Sequence, residues 1–183
     1  MKATKKLPLF VISGASCVGK TAMCEVLFQR ETQYIVLDSD LLWNDVYNTP
    51  EDDYRKYREI WLRLSSNISQ IGMPVVICGC AVPKQYEQCK SRNNFSNIFY
   101  MALVSDDDVL EKRMRKGRDV RDENWIKSSI DFNNWLKDNA DKVTPNIKLL
   151  DTLDLTPEEA ALLADTWIQE CVKKEELMNK LKN

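Results

Sequence analysis

The sequence contains no histidine, and none of its six cysteines forms a C-x-x-C pair. Only Cys78 and Cys80 are close together, and both lie at the end of an apolar run. Structural zinc sites are built from cysteine and histidine at short spacings, so this pattern argues against a metal site. It predicts free thiols, mostly buried, in a reducing compartment, and Cys78-Gly79-Cys80 is interpreted as a turn at the edge of a sheet.

A long apolar run is also missing. The stretch that follows the basic N-terminal residues 1–6 is only about seven residues long, too short for the core of a signal peptide or for a membrane span. The formal net charge is −2 and the isoelectric point is near 5.4, which gives no global reason to expect nucleic acid or an anionic membrane as a partner. We expect a cytoplasmic protein that is a monomer or a homodimer.

Neither an internal repeat, nor a low-complexity segment, nor a convincing linker interrupts the 183 residues, so a single domain over 1–183 is expected. Continuous apolar runs predict five buried strands at Leu7–Ile12, Tyr34–Leu37, Pro74–Cys78, Ile98–Val104 and Ile147–Leu150. Helical patterns separate them at 19–30, 51–71, 83–91, 106–116 and 123–139, and a last helix begins at Pro157. This alternation predicts an α/β fold with a five-stranded parallel sheet covered by helices on both faces.

The most specific motif follows the first strand. Gly14-Ala15-Ser16-Cys17-Val18-Gly19-Lys20-Thr21 fits G-x-x-x-x-G-K-[ST] at every fixed position. In such a loop, backbone N–H groups and the start of the next helix converge on a triphosphate. Lys20 would contact the β- and γ-phosphates, and the hydroxyl of Thr21 would bind Mg²⁺. The motif therefore predicts a binding site for ATP or a related nucleotide.

Two carboxylates follow the second strand, in Asp38-Ser39-Asp40. In open α/β sheets this carboxyl edge is where ligands bind, so the pair could hold Mg²⁺ through water and accept a proton from an attacking hydroxyl. The alternative is a solvated turn, for which Asp and Ser are common. Asp40 is favoured as the base and Asp38 as the ligand on the metal side.

A basic segment, Arg113–Arg121, follows a helix for which Ser105-Asp106-Asp107-Asp108 is expected to form an acidic N-cap. Its arginines could clamp the transferred phosphate, with Gly117 allowing a lid at about 115–125 to close. The alternative is an ordinary basic helix end. Arg113 and Arg118 are the candidates, and the sequence does not show which of them is catalytic.

Aromatic and arginine side chains are interleaved from 43 to 63, within a predicted acceptor region at about 41–71. Trp43, Tyr54 and Arg58 are candidates for holding a planar or hydroxylated acceptor, and a half-buried amphipathic helix is an equal alternative. A second aromatic set follows helical spacing and is expected to be core: Trp125, Phe132 and Trp135.

In order of elements the chain resembles the P-loop small-molecule kinases, such as shikimate kinase, gluconate kinase, adenylate kinase and chloramphenicol phosphotransferase. The resemblance implies ATP and Mg²⁺ as cofactors, a three-layer P-loop fold with a lid, and transfer of phosphate to a hydroxyl of a small molecule. It also implies that Arg113, Asp151 and Thr152 lie near the adenine and that Arg118 belongs to the lid.

The acceptor-side motifs of that family are absent. Cys78-Gly79-Cys80 stands where adenylate-kinase-like enzymes have Asp-Gly-Phe-Pro-Arg, and the gluconate kinase signature is missing at 41–60. The acceptor, the preference for ATP or GTP and the oligomeric state stay open. Two alternatives also remain: a nucleotide-dependent switch or NTPase, and a kinase of polynucleotide ends.

Overall fold

A computed structural model describes residues 6–181. Five parallel strands form one sheet in the order β2-β3-β1-β4-β5. The strands are β1 Leu9–Gly14, β2 Ile35–Asp38, β3 Val75–Cys78, β4 Ile98–Val104 and β5 Ile147–Asp151. The predicted α/β fold with a five-stranded parallel sheet is confirmed. The N-terminal residues 1–5, where a signal peptide is not expected, lie outside the described residues.

Six α-helices connect and cover the strands: α1 Lys20–Gln29, α2 Arg55–Ile68, α3 Pro83–Glu87, α4 Asp107–Lys112, α5 Glu123–Asn139 and α6 Pro157–Leu181. Short 3₁₀ turns follow β2 at Ser39–Leu42 and flank α2 at Pro50–Asp52 and Ser69–Ile71. Another lies at Lys90–Asn94, and one π-helical turn, Arg113–Gly117, extends α4. None of the helices within residues 6–181 is long and apolar enough to cross a membrane.

The sheet is buried on both faces, which explains why its strands are apolar throughout instead of alternating. All six residues of β1 are buried, and its odd and even side chains enter two different cores. Leu9 and Val11 pack with the side chains of α2 and α3, whereas Phe10 and Ile12 pack with those of α1 and α6. The result is the predicted three-layer arrangement.

Strand ends differ from the sequence prediction by at most two residues, and two of the predicted helices differ more. The region 51–71, predicted as one helix, is α2 with 3₁₀ turns before and after it. The helix α2 begins only at Arg55, because Asp53 and Tyr54 have positive φ angles of 55° and 57°. The predicted helix 83–91 ends already at Glu87 and gives way to a 3₁₀ turn. Positive φ is not encoded by apolar spacing, so the pattern extended the first helix too far.

The predicted acidic cap of α4 is confirmed. Asp106 accepts hydrogen bonds from the N–H groups of Asp108 and Val109. At the start of α6, Thr156 N–H donates to the Glu159 carboxylate at 2.8 Å while Thr156 Oγ1 accepts from Glu159 N–H at 3.2 Å, a complete capping box.

Candidate functional site

The loop Gly14–Thr21 follows the central strand, at the point where β1 has β3 on one side and β4 on the other. Ligands bind at such switch points because the neighbouring crossovers leave a crevice there. A Cβ on Gly14 would lie 2.7 Å from the carbonyl oxygen of Leu103 and 2.8 Å from Val18, so only glycine fits. Cys17 and Gly19 have positive φ angles of 62° and 109°, which wrap the loop tightly before α1 begins.

Lys20 lies at the first position of α1, and its ammonium folds back over the loop. Its Nζ donates to the carbonyl oxygens of Gly14 and Ala15, each at 2.7 Å. These contacts hold the cation beside the concave face of the loop. Thr21 follows on the exposed side of α1, where its hydroxyl is accessible to a ligand of the loop.

The turn after β3 is joined closely to the phosphate loop. Ser13 Oγ donates to the carbonyl of Ala81 at 2.6 Å and accepts from the Ala81 N–H at 3.0 Å. The thiol of Cys80 donates to the Gly14 carbonyl at 3.1 Å. A Cβ on Gly79 would lie 1.8 Å from Ser39 Oγ, so glycine at this position allows the turns after β2 and β3 to touch.

Asp38 and Asp40 differ in what they face. The Asp38 carboxylate accepts the N–H of Asp40 at 2.9 Å and so caps the 3₁₀ turn that follows β2. Asp40 is exposed and lines the large cavity described next, which Asp38 does not. The capping contact is the turn chemistry weighed as the alternative for this pair, and it leaves Asp40 as the carboxylate that a ligand in the cavity meets.

A cavity of about 810 Å³ opens directly against the phosphate loop. It lies at the carboxyl edge of the sheet, between the loop, the segment after β2 with α2, the turn after β3, and α5. Its lining residues are Ala15, Ser16, Ser39, Asp40, Trp43, Tyr54, Tyr57, Arg58, Cys80, Ala81, Val82, Gln85, Arg118, Trp125, Ser128, Ser129 and Phe132.

Arg58 forms the floor of this cavity and is only 5% exposed. Its guanidinium donates to the Cys80 carbonyl at 2.6 Å and lies over the rings of Tyr57 and Tyr86, at 5.2 and 5.4 Å from their centroids. Its Nε has no hydrogen-bond partner and its charge has no carboxylate partner among the described residues. A buried cation of this kind is stabilised by an acceptor or an anion on a ligand.

Aromatic side chains form two facing sides of the cavity. Trp43 packs edge-on against Tyr57 at 5.3 Å and tilted against Tyr54 at 5.7 Å. On the other side, Trp125 and Phe132 come from α5, and the indole N–H of Trp125 donates to Ser16 Oγ at 3.2 Å. Trp125 was expected in the core; that expectation is wrong, because the side chain is 42% exposed. Trp135 was also predicted as core and is 37% exposed, so that prediction is wrong as well.

The helix α5 is fixed to the end of β4, which sets the position of this second aromatic side. Asn133 is fully buried and exchanges hydrogen bonds with the backbone of Ser105, at 2.9 and 3.2 Å. Asp107, at the start of α4, accepts from the amides of Asn133 and Asn134 at 3.1 and 2.7 Å. These hydrogen bonds hold the pKa of Asp107 below its usual range, because they favour the ionised carboxylate.

The basic segment after α4 is ordered by contacts at both ends. Arg113 donates to the Thr152 carbonyl at 3.3 Å, and Arg115 pairs with both Glu111 and Glu123 at 2.7 Å. Arg118 lines the cavity and makes no side-chain hydrogen bond or ion pair to any other residue in 6–181. Arg118 is therefore available to a ligand, while Arg115 holds the base of the segment in place.

Part of the predicted lid packs against the phosphate loop. Met114, Val120 and Ile126 form a small apolar cluster, with Cys17 of the loop against it. Residues 118–122 form a short connection between the π-helical turn and α5. A closing motion of 115–125 stays a prediction.

After β5, Thr152 joins the same edge. Its hydroxyl lies 3.0 Å from the Val18 carbonyl and 3.1 Å from that of Val104, and it is buried. The Asp151 carboxylate accepts the N–H of Leu153 at 2.9 Å. Both residues thus lie beside the loop and Arg113, on the side where the adenine is expected.

Cys78 ends β3 where adenylate-kinase-like enzymes carry a carboxylate. A hydrogen bond with the Cys24 thiol, together with complete burial, raises the pKa of Cys78 well above its usual range. The thiol stays protonated near neutral pH and supplies no negative charge. All six cysteines are free, but Cys80 is exposed in the cavity and does not fit the expectation of a buried thiol.

The loop fits a nucleotide triphosphate. Gly19 has open space where a Cβ would lie, and Lys20 provides the cation beside the helix N-terminus. Within the described residues no group of three or more histidine, cysteine, aspartate or glutamate side chains could hold a metal ion. A magnesium ion would therefore take oxygen ligands from phosphate, water and the Thr21 hydroxyl.

The structure brings the predicted residues to one edge of the sheet, and it adds residues that the sequence did not predict for the site. The predicted acceptor residues Asp40, Trp43, Tyr54 and Arg58 all line one cavity, together with Arg118. The additional lining side chains come largely from α3 and α5: Gln85, Trp125, Ser128, Ser129 and Phe132. Local patterns did not indicate that these side chains line a site, because their helical spacing is also that of a core face.

The fold is that of the P-loop small-molecule kinases, as the resemblance in the sequence predicts. A gluconokinase from Sinorhizobium meliloti 1021 superimposes with a TM-score of 0.65 at 18% identity, covering 95% of this chain and 99% of that protein. A sugar kinase from Janibacter sp. HTCC2649 gives 0.66 at 19% identity, with coverages of 90% and 95%. The tunicamycin resistance protein of Deinococcus radiodurans gives 0.62 at 15% identity, with coverages of 89% and 96%.

Protein-family models give no match to the sequence, and curated protein sequences give no match either. At identities below 20% the structural likeness establishes the architecture. The chemistry has to be argued from the site itself.

Proposed function

We propose that the protein is an ATP-dependent, magnesium-assisted phosphotransferase that acts on a hydroxyl of a small molecule. The observation that carries this proposal is that one cavity is lined both by the phosphate loop, at Ala15 and Ser16, and by the carboxylate of Asp40. A kinase needs a phosphate donor and an acceptor hydroxyl side by side, in a site that holds both. The kinase-like structures named above have the same architecture, which is consistent with this chemistry.

In this proposal the side chains act as follows. Asp40 holds the acceptor hydroxyl and takes up its proton as the hydroxyl oxygen bonds to the γ-phosphorus. The bond between the γ-phosphorus and the bridging oxygen breaks, and ADP leaves with the electron pair. Lys20 and Arg118 balance the negative charge on the transferring group. ATP supplies the phosphoryl group, and Mg²⁺ would be held by the Thr21 hydroxyl, with Asp38 on the metal side, and would neutralise phosphate charge.

The cavity also supports a metabolite over the alternatives. Its lining combines five aromatic side chains with Asp40, Arg58 and Arg118, whereas a polynucleotide end calls for a basic groove that tracks the phosphate backbone. A switch protein needs no acceptor cavity beside its nucleotide. The buried guanidinium of Arg58 further favours an acceptor that carries a carboxylate, carbonyl or other hydrogen-bond acceptor.

An acceptor screen tests the proposal. Purified protein with Mg²⁺ and ATP is assayed for acceptor-stimulated release of ADP over sugars, sugar acids, nucleosides, nucleotides and antibiotics. Lys20→Ala and Asp40→Asn should lower the stimulated rate by at least about a hundredfold, since they remove charge stabilisation and the base. Asp40→Asn should leave nucleotide affinity unchanged.

Lys174→Ala, an exposed lysine on α6, is the matched control and should behave like the wild type. Turnover that survives Lys20→Ala would contradict the assignment of the loop. Nucleotide hydrolysis that no acceptor stimulates would favour the switch alternative.

A further inference from the structure

Two polar side chains that line the cavity, Gln85 and Ser128, are hydrogen-bonded to the protein itself. Gln85 accepts the Val82 N–H at 3.1 Å and donates to Asp53 at 2.7 Å. Ser128 Oγ donates to the Trp125 carbonyl at 3.0 Å. Asp40 and Arg118 make no side-chain hydrogen bond within residues 6–181 and remain for the polar part of a ligand.

The indole rings of two tryptophans in the cavity are accessible to a ligand. Trp43 is 45% exposed and Trp125 is 42% exposed, although both line a concave site close to the phosphate loop. Indole rings bury large apolar areas when a partner is present, so two accessible tryptophans within one cavity indicate a ligand that covers them.

Both rings are held in position without a ligand. Trp43 is supported by its contacts with Tyr54 and Tyr57, and Trp125 by its hydrogen bond to Ser16. The two tryptophans belong to different elements on different sides of the cavity: Trp43 follows the 3₁₀ turn after β2, and Trp125 lies in the first turn of α5. Rigid aromatic surfaces of this kind bind flat rings at a low cost in conformational entropy.

We propose that the acceptor carries an aromatic ring, such as a nucleobase or an aryl group, next to the hydroxyl that is phosphorylated. The ring stacks on Trp43 and Trp125, with Phe132 beside them, and the hydroxyl reaches Asp40. This inference rests on the proposed function, because it names the class of molecule that occupies the acceptor cavity. Sugars and sugar acids that carry no aromatic ring are then poor acceptors.

The test separates binding from transfer. Uridine and 1-phenyl-1,2-ethanediol are the aromatic probes, and glucose and gluconate are the non-aromatic ones. Each is titrated calorimetrically into the protein saturated with a non-hydrolysable ATP analogue, which keeps the probes out of the nucleotide site. Each is then assayed for stimulated ADP release with ATP.

An aromatic probe should bind and stimulate release, and Trp43→Leu and Trp125→Leu should each raise its Kd and KM about tenfold, the size of one stacking contact. Phe28→Leu removes an aromatic ring that is 77% exposed on α1 and does not line the cavity, so it should change neither constant. Circular dichroism and thermal unfolding identify any variant that has failed to fold, in which case Trp43→Phe, which keeps a ring, should retain binding.

Three outcomes distinguish the two proposals. Stimulation by gluconate or glucose but by neither aromatic probe overturns the inference and leaves the proposed function standing. Binding of an aromatic probe that both tryptophan variants weaken supports an aromatic site in the cavity, and the proposed function is overturned if no compound of the acceptor screen then stimulates ADP release. Aromatic binding that neither tryptophan variant changes overturns the inference.

Discussion

At the scale of single residues, the site depends on glycines that permit close contacts between turns. Gly79 lies where the turn after β3 meets Ser39, and Gly14 lies where the phosphate loop passes the backbone of Leu103. Neither contact is local: the first joins the turns after β2 and β3, and the second joins paired residues of β1 and β4. A side chain added at either glycine would therefore shift the phosphate loop relative to Asp40.

Gly79→Ala should destabilise the protein by about 1–3 kcal/mol, because the added Cβ overlaps Ser39 Oγ. Chemical unfolding followed by circular dichroism measures this change. Gly117→Ala is the matched control, since a Cβ there meets nothing within 4 Å, and its stability should stay within about 1 kcal/mol of the wild type.

The double variant Gly79→Ala with Ser39→Gly removes the atoms that clash. It should be more stable than Gly79→Ala alone, as expected for directly coupled positions. Equal stabilities of the single and double variants would show that the contact between the two turns is not the cause.

At the scale of elements, α5 is decisive because it supplies one side of the cavity. Its register is set by Asn133, which is hydrogen-bonded to Ser105, and by Asn134, which is hydrogen-bonded to Asp107. The Asp107 carboxylate thereby links the start of α4 to the C-terminal half of α5, and the positions of Trp125 and Phe132 on the same helix follow from that placement.

Asn134→Ala should raise the pKa of Asp107 towards its ordinary value, since the Asn134 amide is the largest cause of the lowered pKa. A carboxylate with a lowered folded pKa stabilises the protein above pH ~4, and that contribution is lost as the pH falls through the folded pKa. The variant should therefore cost about 0.5–1 kcal/mol at pH 6 and clearly less at pH 3.

Urea unfolding at both pH values measures the difference, and NMR titration of the carboxylates follows Asp107 directly. Asn124→Ala is a control on the same helix, because its described hydrogen bond involves the backbone N–H alone. A destabilisation by Asn134→Ala that is the same at both pH values would mean that the ionised carboxylate is not involved.

At the scale of the whole molecule, two apolar cores lie on opposite faces of the sheet and leave its carboxyl edge for the site. The phosphate loop extends from the central strand, between the turns after β3 and β4. Residues that follow all five strands therefore meet around the loop. A ligand bound to the loop contacts segments that follow several strands. Its binding should therefore stabilise the entire fold.

Mg²⁺ and ATP at about a hundred times the dissociation constant should add about 2.7 kcal/mol to the free energy of unfolding. For a chain of this size that corresponds to a rise in Tm of about 5–10 °C. Lys20→Ala should lose most of this rise, and EDTA should reduce it in the wild type. Differential scanning calorimetry measures the shift, with adenosine as the control that lacks phosphates. An undiminished rise in Lys20→Ala would place the nucleotide elsewhere.

The fold and the phosphate loop could be predicted from the sequence because both depend on neighbouring residues. Buried parallel strands are continuous apolar runs, and the loop is eight consecutive residues whose glycines, lysine and threonine have separate physical roles. The pair Asp38 and Asp40 was found in the same way, from its position directly after a strand.

The acceptor cavity was decided by the tertiary structure. Trp125 and Ser16 are 109 positions apart in the sequence, and their hydrogen bond exists only because α5 crosses back over the edge of the sheet. The helical spacing of Trp125 and Phe132 fits a core face equally well. Phe132 does pack against both cores, whereas Trp125 stays 42% exposed because no element covers it. Thus the sequence determined the phosphate loop and the buried strands, and the packing of helices that are distant in sequence determined what the loop faces.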